Sequence, residues 1–119
     1  MLSVISQYPA PRKINNLVDT FHNLSERNER TANIIDVIGG YGKPMYSFLV
    51  DTEHPNGYEI HTITDNGIIV IQNERTEKLV TCLIARVGQI KRYFKDIPAD
   101  VFPIIKKARQ HQVNGYNNW

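Results

Sequence analysis

With one cysteine in 119 residues, this chain falls outside two large classes of small protein. Cys82 has no second thiol to pair with, so a disulfide framework is excluded, and so is a cysteine-rich zinc site. It stands inside the apolar run Leu79-Val80-Thr81-Cys82-Leu83-Ile84, where a small buried thiol is the plain reading. No apolar run approaches the roughly 20 residues that a membrane-spanning helix needs. Met1-Leu2-Ser3-Val4 lacks the basic start and long apolar stretch of a secretory signal, so the expectation is a cytoplasmic protein with no membrane partner. There is no internal repeat, low-complexity tract or interdomain linker. The composition, 41% hydrophobic and 22% charged, supplies one packed core at this length and not two, which predicts a single globular domain over 1–119.

Several chemical motifs are missing as well. Gly39, Gly40 and Gly42 form no phosphate loop, because the Gly-Lys-Ser/Thr ending is absent and a strand follows where a helix should begin. No serine stands in a strand-to-helix elbow, and Cys82 has no base on its face. Glu53, His54, Glu59 and His61 are metal-ligand types without a recurring ligand spacing, so no metal and no cofactor is expected.

What is present is a charge asymmetry and a β-meander. The formal net charge is only +2. From Arg86 to Arg109, however, Arg86, Lys91, Arg92, Lys95, Lys106, Lys107 and Arg109 stand against Asp96 and Asp100, so that stretch carries +5 and the remainder −3. Two solvated amphipathic helices produce such a count, and so does a surface that steers phosphates.

The order is helix, sheet, helix. Ile14, Leu17, Val18, Phe21 and Leu24 recur at three- and four-residue spacing after Pro9-Ala10-Pro11, which predicts a helix from about Arg12 to Glu26 within a helical part over 1–44. Strands are predicted over Met45 to Asp51, Tyr58 to Thr64, Ile68 to Gln72 and Lys78 to Ala85, giving an antiparallel sheet over 45–86. A basic helical part follows over 87–119, with a turn of helix near Arg86 to Phe94 and a final helix containing Val101, Ile104, Ile105 and Ala108. Either Asp96 or Asp100 could cap that final helix. The fold class is thus α+β: a meander of about four strands packed on one face by N- and C-terminal helices.

Register decides which side chains meet. Asp65-Asn66-Gly67 suits a two-residue type I′ turn with Asn66 and Gly67 at positive φ, which pairs Thr64 with Ile69, places His61 opposite Gln72 and sets Ile63 opposite Val70. Pairing Asn73 with Lys78 sets Thr81 opposite Val70. One face then carries Tyr58, Ile60, Ile69, Ile71, Val80, Cys82 and Ile84 beneath the helices. The other, open face gathers Glu59, His61, Gln72 and Thr81.

On that open face His61 is the strongest candidate for chemistry, since an imidazole titrates near neutrality and Glu59 or Gln72 could orient it. The bland alternative is a half-exposed strand histidine. Thr81 offers a hydroxyl to a phosphate or ribose, Arg86 a planar fork for phosphate oxygens. Gln89, Lys91, Arg92 and Tyr93 follow closely enough to line the same end of the sheet.

This layout, a helical start, a meander bearing His61 and Thr81, then Leu83-Ile84-Ala85-Arg86 leading into Lys91-Arg92-Tyr93, resembles the small metal-independent ribonucleases of the barnase, EndoU, colicin and RelE group over roughly residues 45 to 94. The resemblance implies RNA cleavage by attack of its own 2′-hydroxyl, with His61 as acid or base, Thr81 as positioning group, Arg86 and Arg92 as phosphate anchors, and no cofactor. The chain departs from the group in lacking a second catalytic histidine: His54 sits in a turn and His111 late in the final helix. The leading expectation is a small endoribonuclease, such as a toxin or host-interference factor, with RNA or another nucleic acid as partner. The alternative is a noncatalytic phage or mobile-element inhibitor that binds a protein effector or a nucleic acid.

Overall fold

A computed structural model of the chain describes residues 3–15, 40–54, 57–94, 97–107 and 110. Its centre is an antiparallel five-stranded sheet in simple sequence order: β1 (Ser3–Gln7), β2 (Pro44–His54), β3 (Gly57–Thr64), β4 (Ile68–Asn73) and β5 (Leu79–Ile84). Helix α1 (Val87–Tyr93) follows, and residues 101–107 form a second helical stretch. The four expected strands are present, each within a few residues of its expected ends. β1 is an addition: Ser3-Val4-Ile5-Ser6-Gln7 is short, largely exposed and bulged between Val4 and Ser6, so it shows little of the apolar alternation that betrays a strand. The helix expected from about Arg12 does not include residues 12–15, which have no regular structure, and its remainder lies outside the described residues.

The β3–β4 turn has three residues where two were expected, and this corrects the register. Gly67 N–H donates to the Thr64 carbonyl at 3.1 Å and Gly67 alone in the turn takes positive φ, +76°, whereas Asn66 keeps negative φ. A type I turn closed by a left-handed glycine adds one residue to the loop. The cause lies in the preceding loop. Asp65 N–H donates to the Lys43 carbonyl, Asp65 Oδ1 accepts Lys43 N–H at 2.7 Å, Asn66 Nδ2 donates to the Gly40 carbonyl, and the Thr64 hydroxyl donates to the Tyr41 carbonyl. A Cβ on Gly42 would lie 2.4 Å from Asp65 Oδ1, and Gly42 has φ +92°, so only glycine lets the two loops approach this closely.

Because side chains alternate with period two, a shift of one residue exchanges the faces of a strand against its neighbour. Ile63 pairs with Ile69, His61 with Ile71 and Ile60 with Gln72. Thr81 pairs with Ile71, not with Val70, and a bulge then sets Leu79 opposite Gln72. Phe48, Val50, Ile63, Ile69 and Ile71 form one buried cluster with Ile90, Phe94, Val101 and Ile105 from the C-terminal segments. Phe48 and Phe94 meet at 4.4 Å between ring centroids. Each such fully buried aliphatic or aromatic side chain contributes about 1.5–3 kcal/mol.

The opposite sheet face holds a smaller cluster, Ile68, Val70, Leu79 and Cys82, against which Ile14, Tyr41 and Ile84 pack. Residues 8–15 run across this face on polar anchors. Arg12 N–H donates to Ser47 Oγ at 2.8 Å, and Ser47 Oγ meets Thr62 Oγ1 at 2.7 Å. Asn15 N–H donates to Gln72 Oε1 at 2.6 Å. Ser47, Thr62 and Gln72 are buried, so these bonds satisfy groups that would otherwise each cost about 1–3 kcal/mol. Ile60, Cys82 and Ile84 belong to this face, while Ile69, Ile71 and Val80 belong to the other; Tyr58, expected inside, is 45% exposed.

Candidate functional site

The side chains singled out by sequence fall into three places. Glu59, His61 and Thr81 share the face that carries Phe48, Val50 and Ile71. His61 is therefore an interior residue, 4% exposed, and the expectation of an open-face histidine is corrected by the three-residue turn. Its Nε2 lies 3.1 Å from Glu59 Oε1, and the Glu59 side chain remains 22% exposed. The ring borders a cavity of about 40 Å³ lined also by Val4, Val50, Ile71, Leu83, Gln89 and Phe94. That volume accommodates a few waters, since roughly 10–15 Å³ suffices for one. Among these lining residues only His61 and Gln89 carry polar side chains, so Gln89, expected to bind substrate, faces the interior.

Thr81 is one strand beyond Ile71 in the same transverse row as His61. Adjacent strands lie about 4.8 Å apart, so the two side chains stand roughly 10 Å apart with Ile71 between them. Thr81 Oγ1 is buried and has no hydrogen-bond partner among the described residues. Gln72 is on the other face, with its Nε2 donating to the Lys13 carbonyl and its Oε1 accepting from Asn15, so it anchors residues 13–15 and does not meet His61.

The remaining residues form a basic surface. Arg86 precedes α1 in extended conformation, without a side-chain capping bond, and is exposed. Lys91 and Arg92, in the last turn of α1, are exposed as well. Lys91 Nζ lies 5.4 Å from the centroid of the Phe102 ring, which ties α1 to the 101–107 stretch. Lys106 and Lys107, on that stretch, are also exposed. The sequence counted these two lysines without placing them; the signal was the four-residue spacing of Val101 and Ile105, which turns Lys106 and Lys107 outward. The side chains of His54 and Tyr93, and all of Lys95, Asp96, Arg109 and His111, lie outside the described residues.

Two groups have displaced acidities. Tyr46 is raised from its ordinary value of 10.0 by partial removal from water and by the Asp100 charge, to which its hydroxyl donates at 3.3 Å. Asp100, expected as a possible cap, is thus engaged by Tyr46. Burial pushes the Cys82 thiol above 9.0 and leaves it protonated at neutral pH, a packing group and not a nucleophile. No group of three or more His, Cys, Asp or Glu side chains able to hold a metal ion occurs among the described residues. No helix among the described residues is long and apolar enough to cross a membrane. No protein-family model, curated protein or solved structure matches this chain.

Proposed function

We propose that the protein is a noncatalytic binding module and not a ribonuclease. The observation that carries this reading is the position of His61. A general acid or base must come within about 2.6–3.2 Å of the reacting oxygen, directly or through one water. His61 is 4% exposed, its Nε2 is taken by Glu59, and Phe94 and Gln89 lie across its cavity. The space beside the ring is small, about 40 Å³, and mostly apolar in its lining. The neighbouring Thr81 hydroxyl, which would position the phosphate, is likewise closed off from solvent.

Arg86 and Arg92 are both exposed, which is compatible with the phosphate-anchoring role that the resemblance implied for them. A module of this kind acts by occupying its partner, as a noncatalytic inhibitor does. The test is a gel assay of the full chain on a broad RNA panel in chelator, with ends analysed for 2′,3′-cyclic phosphate. No cleavage is expected. Cleavage by the parent chain that is abolished in a folded His61→Leu variant would overturn this reading and restore the ribonuclease.

A further inference from the structure

The outward side of the two C-terminal helical segments carries the basic excess of this stretch of the chain. Their inward side chains, Ile90, Val101 and Ile105, belong to the buried cluster, while Arg86, Lys91, Arg92, Lys106 and Lys107 all point to solvent. None of these five cations has an ion-pair partner among the described residues. The one acid among the described residues of 86–107, Asp100, is engaged by the Tyr46 hydroxyl. We infer that this surface docks the phosphate backbone of a nucleic-acid duplex, an inference that rests on the noncatalytic reading only in taking binding as the end of the event.

Charge complementarity gives the sign of the partner, and what the surface lacks gives its class. A protein interface is anchored by buried aromatic or apolar side chains. The exposed large hydrophobic residues among those described are Ile5 and Tyr58, on β1 and β3 and not on these helices. A single-stranded nucleic acid is held largely by bases stacking on aromatic rings. The ring described on this surface, Phe102, is covered by Lys91. Phosphates of a duplex need only cations, and each one neutralised contributes a slope of about −0.9 in log affinity against log salt.

Five such contacts give a slope of about −4.5 and a loss of affinity of roughly 500-fold between 50 and 200 mM salt. The experiment is fluorescence anisotropy of the full chain with labelled DNA and RNA duplexes, a single-stranded RNA and polyglutamate. Arg92→Ala and Lys106→Ala together are expected to flatten the slope by about 1.8, whereas Arg75→Ala, in the β4–β5 turn, leaves it unchanged. Thermal melts establish that each variant is folded. Failure of the parent to bind either duplex at low salt, equal binding of polyglutamate, preference for the single strand, or a slope insensitive to Arg92 and Lys106 would each overturn the inference. Gels of the recovered nucleic acid read cleavage separately, so failure of docking and failure of the noncatalytic reading give different results.

Discussion

His61→Ala and His61→Leu, measured as a pair, test whether this histidine belongs to the interior. The imidazole is 4% exposed, borders a cavity with Val50, Ile71, Leu83 and Phe94, and makes one hydrogen bond among the described residues, to Glu59. Truncating a side chain of this size in a packed core costs about 2–5 kcal/mol, through lost contacts and the void left behind. About 40 Å³ beside the ring is already empty, so the surroundings are looser than an ideal core and the lower half of the range applies, about 2–3 kcal/mol. The leucine variant refills most of the ring's volume and loses only the bond to Glu59. That carboxylate is 22% exposed and can rehydrate, so the expected cost is under about 1 kcal/mol. Urea denaturation gives both values from the shift in midpoint at constant slope. In a thermal melt the alanine variant should fall by roughly 6–15 °C and the leucine variant by only a few degrees. An exposed strand histidine would behave differently, with both variants within about 0.5 kcal/mol of the parent. That outcome would refute the three-residue turn, return His61 to the solvent face and remove the main argument against catalysis.

Gly42→Ala should destabilise by about 2–4 kcal/mol in the same assay, because alanine resists φ +92° and its Cβ collides with Asp65 Oδ1, costing the bond to Lys43 N–H as well; a loss under 0.5 kcal/mol would sink the account of how the two loops lock. Asn73 Oδ1 accepts the N–H groups of Arg75 and Thr76 in the β4–β5 turn, so Asn73→Ala should cost about 1–2 kcal/mol and Asn73→Asp, which keeps the acceptor, appreciably less. Tyr46 and Cys82 both hold their protons more tightly in the folded chain than in the unfolded one, so the unfolded state binds fewer protons once pH passes about 9. Stability from these groups is complete below that point and declines as pH rises through 9 and 10; melts between pH 8 and 11 should show the decline, with Tyr46→Phe and Cys82→Ala each shallower than the parent.

Strand positions were legible because β-branched runs bounded by turn residues survive any context: Ile68-Ile69-Val70-Ile71 could be little else. The single buried cysteine, the break over residues 40–43 and the helix after Arg86 were legible for similarly local reasons. Ser3–Gln7 was not, because an exposed, bulged edge strand gains its structure from pairing with Phe48 to Asp51 and leaves no apolar alternation of its own. Nor was the irregular path of residues 12–15, which the spacing of Ile14 with Leu17 and Val18 draws into a helix although Arg12 and Asn15 spend their N–H groups on Ser47 and Gln72. In both cases a tertiary hydrogen bond outweighed the local pattern.

The site failed for a sharper reason, which also explains what survived. Every statement that depended on strand parity moved together when the turn gained one residue: Gln72 left His61, Ile69 and Ile71 joined it, and the polar face became the one contributing to the main core. Statements independent of parity kept their force. Glu59 still neighbours His61, because residues two apart on one strand share a face whatever the turn does, and they meet at 3.1 Å. Lys91 and Arg92 stayed exposed because a seven-residue helix carrying Ile90 inward turns them out, and Arg86 precedes that helix in extended conformation. The turn itself was settled about 20 residues upstream, where Gly42 lets Lys43 reach Asp65. A bulkier residue at 42 would remove the grip that holds Asn66 at negative φ. It would loosen the contacts by which Lys43 and Gly40 hold Asp65 and Asn66 in this turn.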